Sequence, residues 1–179
     1  MRITASIQVL ILSFSLIHAS TAQETNKNQE FVNLQRIYQE QSLLISANNI
    51  SKYNSILTDY AKDLDALEKA LAKKGNLNGV MVVRQEKEDS RLTNQIPDNV
   101  SDQTPVELKA LRERYAKRIT AVGAGQEKEL EQLAVLYVGK LQKLQKSLTS
   151  AMHIDDALMV KNEIDRINGN RTTKVEKTD

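Results

Sequence analysis

From Ile50 to Leu71 the apolar side chains Ile50, Tyr53, Leu57, Tyr60, Leu64, Leu67 and Leu71 follow one another at intervals of 3, 4, 3, 4, 3 and 4. That alternation keeps one narrow stripe of an α-helix turned to the same side, and such a stripe is stable only against another helix. The pattern returns 77 residues on, as Leu130, Ala134, Tyr137, Leu141, Leu144 and Leu148. Two seams of this length predict an all-α fold of tandem antiparallel helical hairpins built on long coiled-coil helices. Composition agrees: there is no Trp, there are two Pro, and the charged share is 27%, which suits long helices better than a sandwich or barrel.

The start of the chain reads as an export signal. Met1-Arg2 is a short basic region, Ile7 to Ile17 is mostly apolar, and Ser20-Thr21-Ala22 offers small residues for cleavage after Ala22. The apolar run is too short to span a membrane, which needs ~20 residues. Residues 1–22 are therefore expected to be a signal peptide and 23–30 a polar, disordered N-terminus. The localisation expected is secreted or periplasmic, with no membrane insertion after cleavage; the alternative is an N-terminal membrane anchor.

A first helical pattern begins at Phe31 and carries Leu34, Ile37, Tyr38, Leu44 and Ile45 on one broad face. Asn48-Asn49 weakens it, because Asn competes with the helical backbone for hydrogen bonds. After the seam, Lys73-Lys74 complement the helix C-terminus, Gly75 suits a left-handed C′ position, and Asn76 or Asn78 can cap a return helix from Gly79 to about Leu92. Pro97, Asp98 and Asn99 mark a linker over 93–104. Thr104-Pro105-Val106-Glu107 then combines an N-cap Thr, a first-turn Pro and a Glu at the third position. The second long helix carries Leu108, Leu111, Tyr115, Ile119 and Val122, and Gly123-Ala124-Gly125 falls where the first has Asn48-Asn49. A turn near Met152-His153 and a last helix with Ala157, Val160, Ile164 and Ile167 follow, with Gly169 expected to end it. Both weak points are expected to be kinks in continuous helices; the alternative is a full break that makes each half a three-helix unit.

Residues 31–90 laid on 108–167 without gaps give ten identities, among them Tyr38/Tyr115, Tyr60/Tyr137, Leu64/Leu141, Val83/Val160 and Glu86/Glu163. The weak point, the turn and the return helix also stay in phase, which predicts a tandem duplication with one helical hairpin in 31–92, a second in 105–168 and a disordered tail over 169–179. Lys87 and Ser90 stand opposite Ile164 and Ile167, so the first return helix is expected to be the looser.

The segment running Tyr60, Leu64, Leu67, Lys69, Leu71, Gly75-Asn76-Leu77, Val80, Val83-Arg84, Glu86 resembles the coiled-coil hairpin repeats of uncharacterised secreted proteins of planctomycete-type bacteria. There a Leu-rich helix meets a Gly-Asp-Leu-Asp type turn and an Ala-Val-Arg-x-Glu return helix. The resemblance covers most of the chain after Ala22 and departs at Met152-His153-Ile154-Asp155, which has no glycine. It implies no activity, cofactor or catalytic residue. The Gly-Asn-Leu turn is also similar to tetratricopeptide hairpins, but a 77-residue period with helices of unequal length argues against that family.

The inventory for chemistry is poor. The chain has no cysteine, and after Ala22 its one histidine is His153, so neither a zinc site of the usual N/S ligands nor a Ser-His-Asp triad assembles readily. His153, near Asp155 and Asp156, reads as a solvated turn residue. Gly139-Lys140 lacks the upstream glycine of a phosphate loop, and Gly123-Ala124-Gly125 follows no strand. No catalytic, cofactor-binding or metal-binding residue is expected, nor any cofactor. Of the 25 Lys and Arg, 24 remain once Arg2 is set aside, against 23 Asp and Glu, and that near-balance argues against nucleic acid as partner. Asn49, Asn99 and Asn170 head formal glycosylation sequons, of which only the last two fall in expected loops.

Two functions remain. One is an exported, non-enzymatic coiled-coil protein acting as a structural or protein–protein interaction module, with an unidentified protein partner or a homodimer. The other is an envelope polymer-binding protein that uses the basic edge Lys140, Lys143 and Lys146. The return helices are too short to cover the N-terminal halves of the long helices. The two long helices are therefore expected to pack side by side, or a second chain to supply the missing surface.

Overall fold

A computed structural model gives the fold; it describes the backbone of residues 5–97 and 103–175 and the side chains of 28–97 and 103–171. The chain is all-α: α1 (Ala5–Lys73), α2 (Leu77–Thr93), α3 (Val106–Ser150) and α4 (Ile154–Val175), with no strand among the described residues. The side chains of the expected signal peptide, the linker residues 98–102 and the end of the tail lie outside the described residues. The contacts divide into two units, Leu43–Glu129 and Met1–Ser42 with Leu130–Asp179.

The contiguous unit is built from the C-terminal part of α1, from α2 and from the N-terminal part of α3. Its core is Ile56, Tyr60, Leu64, Leu71, Val80, Val83, Leu108, Leu111 and Tyr115, and each large apolar side chain removed from water there contributes about 1.5–3 kcal/mol. The α1–α2 turn closes as a Schellman motif: Gly75 N–H donates to Ala72 O and Asn76 N–H to Leu71 O, both at 3.0 Å. Gly75 supplies the left-handed residue (φ +71°) that the motif needs. Asn76 then caps α2, its Oδ1 accepting from Gly79 N–H at 2.9 Å.

At the start of α3 the Pro105 carbonyl accepts from Leu108 and Lys109 N–H at 3.0 Å. The Glu107 carboxylate is turned to its own backbone N–H and to Lys74, which hold it below the usual carboxylate range. Contacts between α1 and α3 fix their direction: Lys74–Glu107 (3.0 Å), Asp63–Arg114 (2.6 Å), Asp59–Arg118 (2.9 Å) and Asn49–Gln126 (2.7 Å). Numbers fall along α1 as they rise along α3, so the two long helices pack side by side and antiparallel within this unit.

The discontinuous unit combines the part of α1 up to Ser42 with α3 from Leu130 and with α4. Phe31 is buried among Tyr137, Val138, Leu141, Leu144, Leu148, Val160, Ile164 and Ile167, with Leu34 and Tyr38 packed on them. The Tyr38 ring stacks on that of Tyr137, centroids 4.3 Å apart and planes 11° from parallel. The α3–α4 turn repeats the hydrogen bonds of the first: Met152 N–H to Thr149 O and His153 N–H to Leu148 O, both at 3.0 Å.

Several expectations need correction. Ile50 is 61% exposed, and Ile56, outside the seam, is 5% exposed. Tyr53 Oη donates to the Asn94 carbonyl at 3.2 Å, which marks where α2 ends, and Ile50, about one turn further, has no return helix beside it. Ile56 is buried because α1 faces two neighbours, α2 and α3, and two neighbours demand a stripe wider than a coiled-coil seam. Ile37 and Leu44, expected on the apolar face, are exposed. α1 and α3 run unbroken through Asn48-Asn49 and Gly123–Gly125, as expected over the alternative of a break. α1 also covers residues 23–30, and α4 continues past Gly169, where Arg171 Nε reaches back to Glu131 on α3 at 2.9 Å. Asn170 is consequently helical rather than in a loop, and Asn99 lies outside the described residues.

Candidate functional site

The most enclosed polar group lies in the contiguous unit. Glu86, on α2, is 3% exposed and Arg112, on α3, is 9% exposed. Arg112 grips the carboxylate with both sides of its fork, Nε to Oε1 at 2.8 Å and Nη2 to Oε2, a bidentate pairing that compensates the loss of water around both charges. Tyr60 Oη donates to Oε1. Burial first, and the neighbouring carboxylate second, push ionisation of the Tyr60 hydroxyl well above the ordinary tyrosine range. The hydrogen bond to Glu86 holds Arg112 firmly charged. No side-chain nitrogen or oxygen buried among the described residues lacks a partner.

The other unit holds the same pair 77 residues on. Tyr137 Oη donates to Glu163 Oε1 at 3.1 Å. Here the arginine comes from one turn further along the same helix: Arg166 donates to both Glu163 oxygens at 2.7 Å and holds that carboxylate below the usual range. In the sequence Glu86 and Glu163 stand only as one of the ten identities, with no partner assigned to either. The available signal was the coincidence of two identities, Tyr60/Tyr137 and Glu86/Glu163, in a single overlay. The chemistry both groups offer is structural: a carboxylate fixed between a guanidinium and a phenol clamps the return helix to the long one.

Two surface hollows accompany the buried group. A groove of about 830 Å³ runs between α1 and α2, floored by Leu57, Ala61 and Leu64 and edged by Glu68, Lys87 and Ser90. Its rim charges pair with each other: Lys87 with Asp65 at 2.5 Å and Glu68 at 3.1 Å, Arg84 with Glu68 at 2.6 Å. At the matching positions of the other unit Val138, Ile164 and Ile167 are buried. The groove thus opens where Ala61, Lys87 and Ser90 stand in place of larger apolar side chains. A hollow of about 490 Å³ lies between Ile96-Pro97 and the Lys109–Thr120 face of α3.

His153 is half-buried at the head of α4, where its carbonyl accepts from Ala157 N–H at 3.0 Å. Lys140, Lys143 and Lys146 are all exposed. Among the described residues no group of three or more His, Asp or Glu is placed to hold a metal ion, and no helix is long and apolar enough to cross a membrane. Comparison with protein-family models, curated proteins and solved structures returned no match to this chain.

Proposed function

We propose that the chain is an exported, non-enzymatic helical module, a tandem duplication of two antiparallel hairpins on long coiled-coil helices, that works by binding another protein. The observation that carries this reading is a line of apolar side chains left in water: Leu43, Ala47 and Ile50 are exposed along one face of α1. Their spacing of four and three puts them on one stripe. Leaving Leu43 and Ile50 in water forfeits stabilisation that a partner surface would recover. The matching positions on α3 are Thr120, Ala124 and Glu127, so the stripe belongs to the first hairpin alone. The polar groups, by contrast, are engaged with each other inside the bundle, which favours scaffold over catalyst. The mature form, from Gln23, immobilised and exposed to an envelope fraction, should retain a protein partner that a Leu43→Ser, Ile50→Ser variant loses. Equal retention by the two forms overturns the reading. Export itself is tested by mass spectrometry of the protein from its host, where a mature N-terminus at Gln23 is expected and an intact Met1 in the cytoplasm refutes it.

A second reading rests on Lys140, Lys143 and Lys146. All three are exposed, and no carboxylate among the described residues pairs with them, which suits an anionic envelope polymer. Retention on an anionic polysaccharide that weakens with salt favours it; retention indifferent to salt, or none, refutes it.

A further inference from the structure

The two interhelical turns share one backbone and one apolar pattern but carry opposite charge. Both close with the same Schellman hydrogen bonds and a left-handed residue, Gly75 in one and Met152 in the other. Just beyond each, the return helix leaves two large apolar side chains in water, one turn apart: Leu77 (70% exposed) and Met81 (56%) in the first, Ile154 (46%) and Leu158 (51%) in the second. These are matching positions, 77 residues apart.

The charges around them do not match. Lys73 and Lys74 precede the first turn where Ser150 and Ala151 precede the second, and Asp155 and Asp156 open α4 where Asn78 and Gly79 stand in α2. Lys74 also reaches Glu107 at 3.0 Å. Among the described residues no carboxylate pairs with Lys73, and no cation pairs with Asp155 or Asp156. Helix dipoles favour a base at the end of α1 and acids at the start of α4, which accounts for the sign at each turn but not for exposed apolar pairs beside both.

We infer that the two turn surfaces are complementary halves of one interface, and that a second copy of this chain docks its Asp155-Asp156 turn on the Lys73-Lys74 turn of the first. Leu77 and Met81 of one copy meet Ile154 and Leu158 of the other, and the facing charges steer and orient the encounter. Two different surfaces meet in this contact, so each copy keeps one turn free and the association is head-to-tail. This rests on the interaction-module reading above and names a partner for a face other than the Leu43–Ile50 stripe.

The test is sedimentation velocity on the full chain across protein concentration and ionic strength. Association that grows with concentration and weakens with salt is expected. One variant, Lys73→Glu with Asn78→Asp, makes both turns negative; another, Asp155→Lys with Asp156→Asn, makes both neutral-to-positive. Each alone should associate about tenfold more weakly or worse, and an equimolar mixture should recover association. Recovery on mixing is not an outcome that two misfolded chains can give. As a fold-independent check, Met81→Cys chains mixed with Leu158→Cys chains should form a mixed disulfide under mild oxidation, there being no native cysteine. A wild type monomeric throughout, variants that associate like wild type, a mixture that fails to recover while both variants keep their helical circular dichroism, or absence of the mixed disulfide each overturns the inference. None of these touches retention of a different protein on the Leu43–Ile50 stripe, so the two readings fail separately.

Discussion

Met152 holds at the α3–α4 turn the left-handed backbone position that Gly75 holds at the α1–α2 turn, with φ +63° against +71°. A methionine there bears a steric cost of roughly 1–2 kcal/mol that glycine does not. Its side chain is 79% exposed and has little packing to lose.

Met152→Gly should therefore stabilise the protein by about 0.5–1 kcal/mol, the relief of strain being partly offset by the freer unfolded chain. Gly75→Ala should destabilise by a similar amount, although nothing lies within 4 Å of the added Cβ. Urea denaturation midpoints measure both. A Met152→Gly variant no more stable than wild type contradicts the strain argument.

The buried Glu86–Arg112 pair should be more sensitive to losing one partner than to losing both. Arg112→Met alone strands a buried carboxylate and should cost about 3–5 kcal/mol; Glu86→Met with Arg112→Met should cost less. Tyr60→Phe should cost about 1–2 kcal/mol, since only one hydrogen bond is lost. Chemical denaturation of Glu86→Met, Arg112→Met and the double variant, read as a cycle, decides the point, and additive losses refute coupling.

Alkaline titration should separate the tyrosines. Burial, with help from Glu86, Asp63 and Glu163, raises the ionisation of Tyr60, Tyr115 and Tyr137 above the ordinary value of 10.0. The folded chain then binds more protons than the unfolded one above that pH. The stabilisation is complete below about pH 10 and is lost as pH climbs from there toward the folded-state values. Melting temperature should accordingly fall steeply above pH 10, less so in Tyr60→Phe, Tyr137→Phe. Phenolate absorbance should rise late for three of the five tyrosines; a single early rise in folded protein disproves this.

Filling the α1–α2 groove should stabilise the contiguous unit. Ala61→Val with Ser90→Ile copies Val138 and Ile167, which are 7% and 3% exposed, and a gain of about 0.5–2 kcal/mol is expected from thermal melts. A loss would mean that the neighbouring Lys87 and Glu68 pair cannot accommodate the added volume.

Most of the fold was legible because helix periodicity is a local signal. The Tyr60, Leu64 and Leu71 stripe, the stop at Gly75 and the start around Thr104-Pro105 each need only a few neighbours to recognise. What escaped depends on distant neighbours. Ile56 is buried because α3 arrives on its side, and Ile50 is exposed because α2 has already ended. Glu86 resembles any solvated helix charge until Arg112, 26 residues away, is folded against it. Met152 defeats the glycine rule for the left-handed position because the hydrogen bonds of the turn outweigh a local preference. The return helix that carries Lys87 and Ser90, where Ile164 and Ile167 stand in α4, has the groove beside it.

The division of the chain has a consequence for the order of folding. Leu43–Glu129 is uninterrupted, whereas its companion joins Met1–Ser42 to Leu130–Asp179. A ribosome releases everything the inner segment needs before Phe31 has met Leu148 or Val160. Closing that outer contact from an unfolded chain means fixing the ends of a very long loop. Once the intervening stretch is compact the effective loop is short, and the entropic cost falls with it. Folding therefore runs from the inside outward: the nested segment matures first, and the residues made earliest wait longest for their partners.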